Sequence, residues 1–408
     1  MFRISRVVLS IIMVCVMAGC QVQVHHEPDQ ERTVSAAQQR VDEKWIDYKE
    51  STNEFFTNFT YTKIEGLEYP HKGVSRRDPT KILRVDGTYY IWYTLRNTES
   101  VPVGHENATD EIPSRDWDMA DIGYATSTDG FTWKEQGIAL KRAARKGDYG
   151  WRSLCTPDIL MWQGKYYLYY QVYNGYPGPD HLATVSVAVA DSPDGPWESL
   201  GKPVLDRGAM GTIDQGAIRD PFPLVYKGKI HLYYTGNHGW GIATTDDPLG
   251  EYTRHPLNPV LNSGHECCVF PWKGGMAALV SLNGAEKNTV QYAPDGVNFE
   301  VMANVIVPPI APGPFIPDAY ADNGNGRGFT WGLCHMSYAG NGIYNANILA
   351  RFDCDLSLDV TTGNGIFKRH NIRMRAETFL TDFGLTENMK NVVQKRTRDS
   401  AVNTVMGR

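Results

Sequence analysis

Apolar and polar positions alternate in short runs along most of this chain, and the runs come in pairs around a glycine. Ile82–Tyr93, Ile159–Tyr170 and Pro223–Tyr234 place stretches rich in Tyr, Trp, Ile, Leu and Val on both sides of Asp86-Gly87, Gln163-Gly164 and Lys227-Gly228. These dipeptides supply the positive-φ positions of tight hairpin turns. Val269–Val280 repeats the pattern around Gly274, and a weaker fifth copy lies near Gly328–Leu333. A second hairpin follows in most units, marked by Ser127–Trp133, Asp191–Trp197, Thr245–Tyr252 and Ala293–Phe299. Five units of two hairpins predict an all-β fold, a five-bladed β-propeller. A β-sandwich or β-solenoid is the competing arrangement. The first unit carries an insertion, about Arg96 to Asp121, expected to form a loop over one face.

Each body is preceded by a polar head: Asp78-Pro79, Pro157-Asp158, Asp220-Pro221, His265-Glu266 and Pro317-Asp318. The acids at 78, 158, 220, 266 and 318 stand 80, 62, 46 and 52 residues apart, the size of a four-stranded blade. One acid at a fixed place per unit gathers carboxylates around one axis. Proline after Asp78 is expected to bias it toward extended backbone. Arg77 beside it would keep a carboxylate ionised, as a base requires. Ile218-Arg219-Asp220-Pro221 repeats the Arg-Asp-Pro of the first head. A lone Asp-Pro is more often a turn or cap, whereas the matched pair points to a functional centre. His265 precedes the acid of the fourth head and is a proton-donor candidate held by Glu266 or Asp220, or else a structural histidine. Arg77, Thr156, Asp158, Gln171, His181, Trp117 and Asp318 are candidate sugar contacts, aromatic rings suiting carbohydrate stacking. His335 is either a core histidine or a group facing the axis, where a structural divalent cation could be held through water. No cofactor is required for the chemistry.

The chain has 408 residues, 42% of them hydrophobic and 11% aromatic, which suffices for one large core. The formal net charge of −6, with no basic stripe, argues against nucleic acid. Residues 1–20 read as a signal segment: Arg3 and Arg6, an apolar run from Val7 to Met17, then Met17-Ala18-Gly19-Cys20, which resembles a bacterial lipobox. Lipidation of Cys20 would tether the protein to a membrane, in the cell envelope outside the cytoplasm. Residues 21–55 are expected to form a flexible tether and a helical arm, Thr33 to about Glu50. Val41, Trp45 and Tyr48 share its apolar face. The propeller is expected over 56–370 and a partly helical tail over 371–408. After Cys20 five cysteines remain, with no zinc-ligand spacing, and most read as buried small hydrophobes.

These residues resemble glycoside hydrolase family 117, the α-1,3-(3,6-anhydro-L-galactosidase) or neoagarobiose hydrolase family. The resemblance rests on Ser35-Ala36-Ala37-Gln38-Gln39-Arg40 against the family's Ser-x-Ala-x-x-Arg helix motif, on Ser75-Arg76-Arg77-Asp78-Pro79, and on His265-Glu266. It implies exo-hydrolysis of the α-1,3 bond at the non-reducing end of neoagaro-oligosaccharides, releasing 3,6-anhydro-L-galactose with inversion. It makes Asp78 the general base, Asp220 the tuning carboxylate, His265 the general acid and Glu266 its support. It also implies a domain-swapped homodimer through the arm. A family 43-like arabinanase or xylosidase would use Glu266 as the acid instead. A surface glycan-binding propeller would have no catalysis.

Overall fold

The computed structural model describes residues 32–42 and 54–358, apart from 56, 58, 68–72, 177–181, 238, 267, 282, 306, 322–325 and 338–346. The signal segment with Cys20, His181, Cys267 and the tail therefore lie outside the described residues, as do Trp45 and Tyr48 of the arm. Five antiparallel sheets are arranged as a five-bladed propeller, as the hairpin pattern predicts.

In the first blade Thr88–Asn97 pairs with two inner segments, Val74–Arg77 and Leu83–Val85, and Ala120–Ser127 and Lys134–Leu140 follow outward. The second blade runs Ser153–Trp162, Lys165–Tyr173, Thr184–Ala190 and Glu198–Ser199. The third runs Arg219–Tyr226, Lys229–Thr235, Trp240–Thr245 and Thr253–Arg254. The fourth runs Cys268–Trp272, Gly275–Val280, Thr289–Ala293 and Glu300–Asn304. The fifth is built from Ile310–Pro314, Trp331–Ser337 and Asn347–Asp353, and its outer edge is the N-terminal strand Thr60–Lys63, paired antiparallel to Asn347–Asp353. The weak fifth copy near Gly328–Leu333 is thus the entry to a second strand, not a whole hairpin.

The inner hairpins turn where the sequence places them. Asp86-Gly87, Gln163-Gly164, Lys227-Gly228 and Lys273-Gly274 all have both residues at positive φ, the geometry that matches strand twist in two-residue loops. Apolar side chains fill the seams between blades. Leu160, Tyr169 and Val187 of the second blade pack with Ile230, Leu232 and Ala243 of the third. Each such fully buried side chain contributes roughly 1.5–3 kcal/mol.

Two attachments bear on the site. The arm is a short helix, Ala36–Asp42, held on the third and fourth blades. Ser35 Oγ donates to the Pro259 carbonyl (2.5 Å), while Arg40 donates to Glu286 (2.6 Å) and to the Phe299 carbonyl (2.7 Å). The insertion is pinned to the second blade by Arg152, fully buried with Asp118. Arg152 Nε donates to Asp118 (2.6 Å) and Nη1 to the Thr109 carbonyl (2.7 Å). Among the described cysteines Cys155, Cys268, Cys334 and Cys354 are buried free thiols.

Candidate active site

On every blade one residue in or beside the inner strand lies in the left-handed region: Asp78 (φ 49°), Thr156 (φ 45°), Asp220 (φ 49°), Glu266 (φ 61°) and Ala311 (φ 46°). Four of the five precede a proline: Pro79, Pro157, Pro221 and Pro312. The strand ladder slips at the same places, over Cys155–Asp158, Arg219–Phe222 and Ile310–Gly313. A bulge leaves one residue out of the ladder and re-aims its side chain, and proline, lacking an N–H, is tolerated there. The extended backbone expected for Asp78 is therefore corrected: the bulge, not the proline, decides its conformation. Asp tolerates this region, but β-branched Thr156 is a true outlier there. Such strain concentrates at functional sites.

The five turned residues line one depression on the axis. Two heads are thereby corrected. The second is Thr156, not Asp158, and the fifth is Ala311, not Asp318. Asp158 reaches the floor of the depression, but both its oxygens are taken by Lys81, from the backbone N–H (2.8 Å) and from the ammonium. Burial pushes the Asp158 carboxyl up and the Lys81 ammonium down. Asp318 binds Arg327 in its own blade (3.0 Å).

Arg77 is the hub of the site. Nε donates to Asp78 Oδ2 (2.7 Å), Nη1 to both oxygens of Asp116 (3.0 Å each) and Nη2 to Glu266 Oε1 (2.8 Å). The guanidinium lies 4.8 Å from the Trp117 ring centroid. With every face engaged, Arg77 organises carboxylates and is not the sugar contact that the sequence suggested. Thr94 and Thr156 hydroxyls add donors to Asp78 Oδ2 (3.1 and 3.4 Å).

These contacts separate two acids. Burial alone would push the Asp78 carboxyl up, but the Arg77 guanidinium and then His335 outweigh it and hold it well below the usual range. Glu266 is pushed well up, by burial first and then by the charge of Asp78, against the pull of Arg77. Neighbouring carboxyls driven apart in this way mark a catalytic centre more often than a structural one.

Two carboxylate oxygens in this cluster are buried and have only an imidazole nitrogen near them: Asp78 Oδ1, 3.2 Å from His335 Nδ1, and Asp220 Oδ2. His265, its side chain 37% exposed, lies with Nδ1 3.3 Å from Asp220 Oδ2 and 3.8 Å from Glu266 Oε1. Its other nitrogen, Nε2, is left for a substrate. Gln171 is buried, and its Oε1 accepts the Asp220 backbone N–H (3.4 Å) while Nε2 donates to Tyr173 (2.8 Å). It supports the Asp220 backbone. Trp117 is half-buried beside Arg77.

His335 is buried, with Nδ1 accepting the Asp78 backbone N–H (3.2 Å). Burial first, then Arg77, pushes its pKa down, so it is neutral. Asp78, Glu266 and His335 bring ligand-type atoms within 4.8 Å of one another. The Arg77 guanidinium bridges these two carboxyls through Asp78 Oδ2 and Glu266 Oε1.

Asp116 was not foreseen. It sits in the insertion, where no periodicity fixes a register. Its Asp116-Trp117-Asp118 run was the available signal.

The comparisons agree with this geometry. The model for glycosyl hydrolases family 43 matches residues 76–238. No curated protein matches the chain. A solved structure described only as a glycoside hydrolase is 16% identical at TM-score 0.51, over 73% of this chain and 92% of that one, which speaks for the fold. Zg3597, a family 117 glycoside hydrolase produced by the marine bacterium Zobellia galactanivorans, is 50% identical at TM-score 0.75, over 81% of this chain and 98% of that one. The propeller, its axial carboxylates and that identity together place the chain in a family: it belongs to glycoside hydrolase family 117.

Proposed function

We propose that the protein removes 3,6-anhydro-L-galactose from the non-reducing end of neoagaro-oligosaccharides by hydrolysing the α-1,3 bond with inversion. The observation that carries this reading is the pair of buried carboxylate oxygens in one depression, each facing an imidazole nitrogen: Asp78 Oδ1 beside His335 Nδ1 (3.2 Å) and Asp220 Oδ2 beside His265 Nδ1 (3.3 Å). Family membership supports glycoside hydrolysis; the sugar is our inference from the resemblance.

In this mechanism Asp78 is the base. Arg77 keeps it ionised and occupies Oδ2, leaving Oδ1 to take a proton from water. His265 is the acid, protonating the leaving oxygen through Nε2 while Asp220 holds Nδ1. Glu266 is too near Asp78 to face it across a water and a sugar. Their nearest oxygens lie within 4.8 Å, whereas inverting pairs stand roughly 6.5–9.5 Å apart. Ala311 offers a methyl where the other heads offer polar groups, which suits a sugar edge whose hydroxyls are tied up in an anhydro bridge.

A second reading has Glu266 as the acid, since its raised pKa keeps a proton available. His265→Ala and Glu266→Gln separate the two, assayed on neoagarobiose with neocarrabiose and porphyran-derived oligosaccharides alongside. A fall in kcat of roughly 10²–10⁴ in His265→Ala is expected for loss of the acid. Little loss in His265→Ala with an inactive Glu266→Gln would move the role to Glu266. Binding without released sugar on every substrate would leave a glycan-binding propeller.

The lipobox supports a lipid tether at Cys20, tested by labelling with a fatty-acid precursor in wild type and Cys20→Ala. Ser35 and Arg40 bind the chain's own third and fourth blades here, and by the resemblance the same contacts would be made to a second copy in a swapped dimer. Deleting residues 21–50 and measuring mass in solution tests it, an unchanged mass speaking against the swap.

A further inference from the structure

The insertion does more than cover one face. Asp116 is fully buried, and its two oxygens accept Nη1 of Arg77 at 3.0 Å each. Asn347 of the fifth blade donates its Nδ2 to Asp116, and its backbone N–H goes to Ser75 Oγ (2.9 Å). One carboxylate therefore joins the insertion, the first blade and the fifth. The next residue, Trp117, covers the face of the same guanidinium.

A guanidinium is a rigid planar fork. Once Nη1 is clamped at its edge and the ring is covered, the directions of Nε and Nη2 follow. Those are the atoms that hold Asp78 and Glu266. The insertion is itself anchored by the buried Arg152–Asp118 pair, so the clamp has a rigid base.

We propose that Asp116 is a positioning residue of the hydrolysis: held by the insertion, it clamps Arg77 so that Nε aims at Asp78 and Nη2 at Glu266. The inference rests on the glycosidase reading above. It makes the insertion part of the catalytic machinery, although no atom of Asp116 meets the sugar.

The test uses the full chain with Asp116→Ala and Asp116→Asn. Misplacing a reacting group by about 1 Å costs roughly a hundredfold in rate, so Asp116→Ala lowers kcat by about 10² with KM within about threefold. Asp116→Asn keeps one acceptor for Arg77, and turning the Asn347 amide, whose buried Oδ1 is unpartnered, accommodates the new N–H₂. Its kcat falls by about tenfold, near the cost of one charged hydrogen bond. Wild-type kcat in either variant overturns the proposal, as does a rise in KM in place of a fall in kcat. Asp116→Asn carries the test alone if Asp116→Ala does not fold.

A substrate-free readout separates this from the choice of sugar. The ¹⁵N resonance of the Arg77 Nε–H, assigned by its loss in Arg77→Lys, exchanges slowly in wild type and fast in Asp116→Ala. Unchanged slow exchange in Asp116→Ala overturns the clamp. A wild type that leaves neoagarobiose intact overturns only the proposed substrate.

Discussion

The first and third blades carry the same tripeptide, Arg-Asp-Pro, with both aspartates at φ 49°. Their chemistry is not the same. Arg77 is bound by three carboxyls, whereas Arg219 is half-buried and makes no ion pair among the described residues. The backbone N–H of Asp78 goes to a neutral imidazole, that of Asp220 to the Gln171 amide. Asp78 is held by its own arginine; Asp220 faces His265 instead. The tripeptide sets where the backbone bulges and where the carboxylate aims. What each arginine and aspartate touches is set by partners outside the motif, among them Asp116, which holds Arg77 from an insertion that the third blade lacks.

The comparison can be broken most directly by neutralising each aspartate. Asp78→Asn lowers kcat/KM by roughly 10⁴ and Asp220→Asn by roughly 10², the two ends of the range for general acid–base groups. Equal losses in steady-state assays would make the two motifs functional equals. Arg77→Lys lowers kcat by about 10², because a point charge cannot serve three carboxyls in a plane. Arg219→Lys stays within about threefold of wild type by the same reasoning, and a larger loss would place Arg219 on the substrate.

Glu266 sharpens the contrast through pH. A carboxyl whose pKa is raised in the fold binds its proton more tightly folded than unfolded. Its contribution is complete below the ordinary value of 4.5 and is lost as pH rises through the raised folded value. From pH 4.5 up to that raised value, wild-type unfolding free energy should therefore fall by up to about 1.4 kcal/mol per pH unit. Glu266→Gln should flatten that slope in denaturant titrations; an unchanged slope would assign it to other groups. The smallest effect belongs to Thr156. Thr156→Gly relieves a β-branched residue at φ 45°, raising stability by about 1 kcal/mol while lowering activity. A loss of stability would mean that the Thr156 hydrogen bonds outweigh the strain.

The blades were legible because hairpins are local. Residues such as Asp86-Gly87 and Gln163-Gly164 state their turn by themselves. Asp78, Asp220, His265 and Glu266 were legible because they recur at one register. The fifth head is hidden in the sequence because its turned residue, Ala311, carries no acid. What the heads share is a residue turned to positive φ, in four of them before a proline, and Ala311-Pro312 has that without an acid. Asp158 misled for the same reason, lying two residues past the turned Thr156 and paired to Lys81. Partners such as Asp116 and Gln171 reach the site from distant loops and strands, so no spacing in the chain announces them.

The pairing of Thr60–Lys63 with Asn347–Asp353 sets a timetable for folding. The last blade draws its outer strand from the beginning of the domain and the rest from its end, so it cannot be completed before Asp353 has left the ribosome. Until then four blades can form locally, but the ring that gathers Asp78, Asp220 and Glu266 stays open. Closing so long a loop is slow for a β topology and comes late. An incomplete chain therefore has an unpaired edge strand and no assembled site, which confines hydrolysis to molecules whose synthesis has passed that strand.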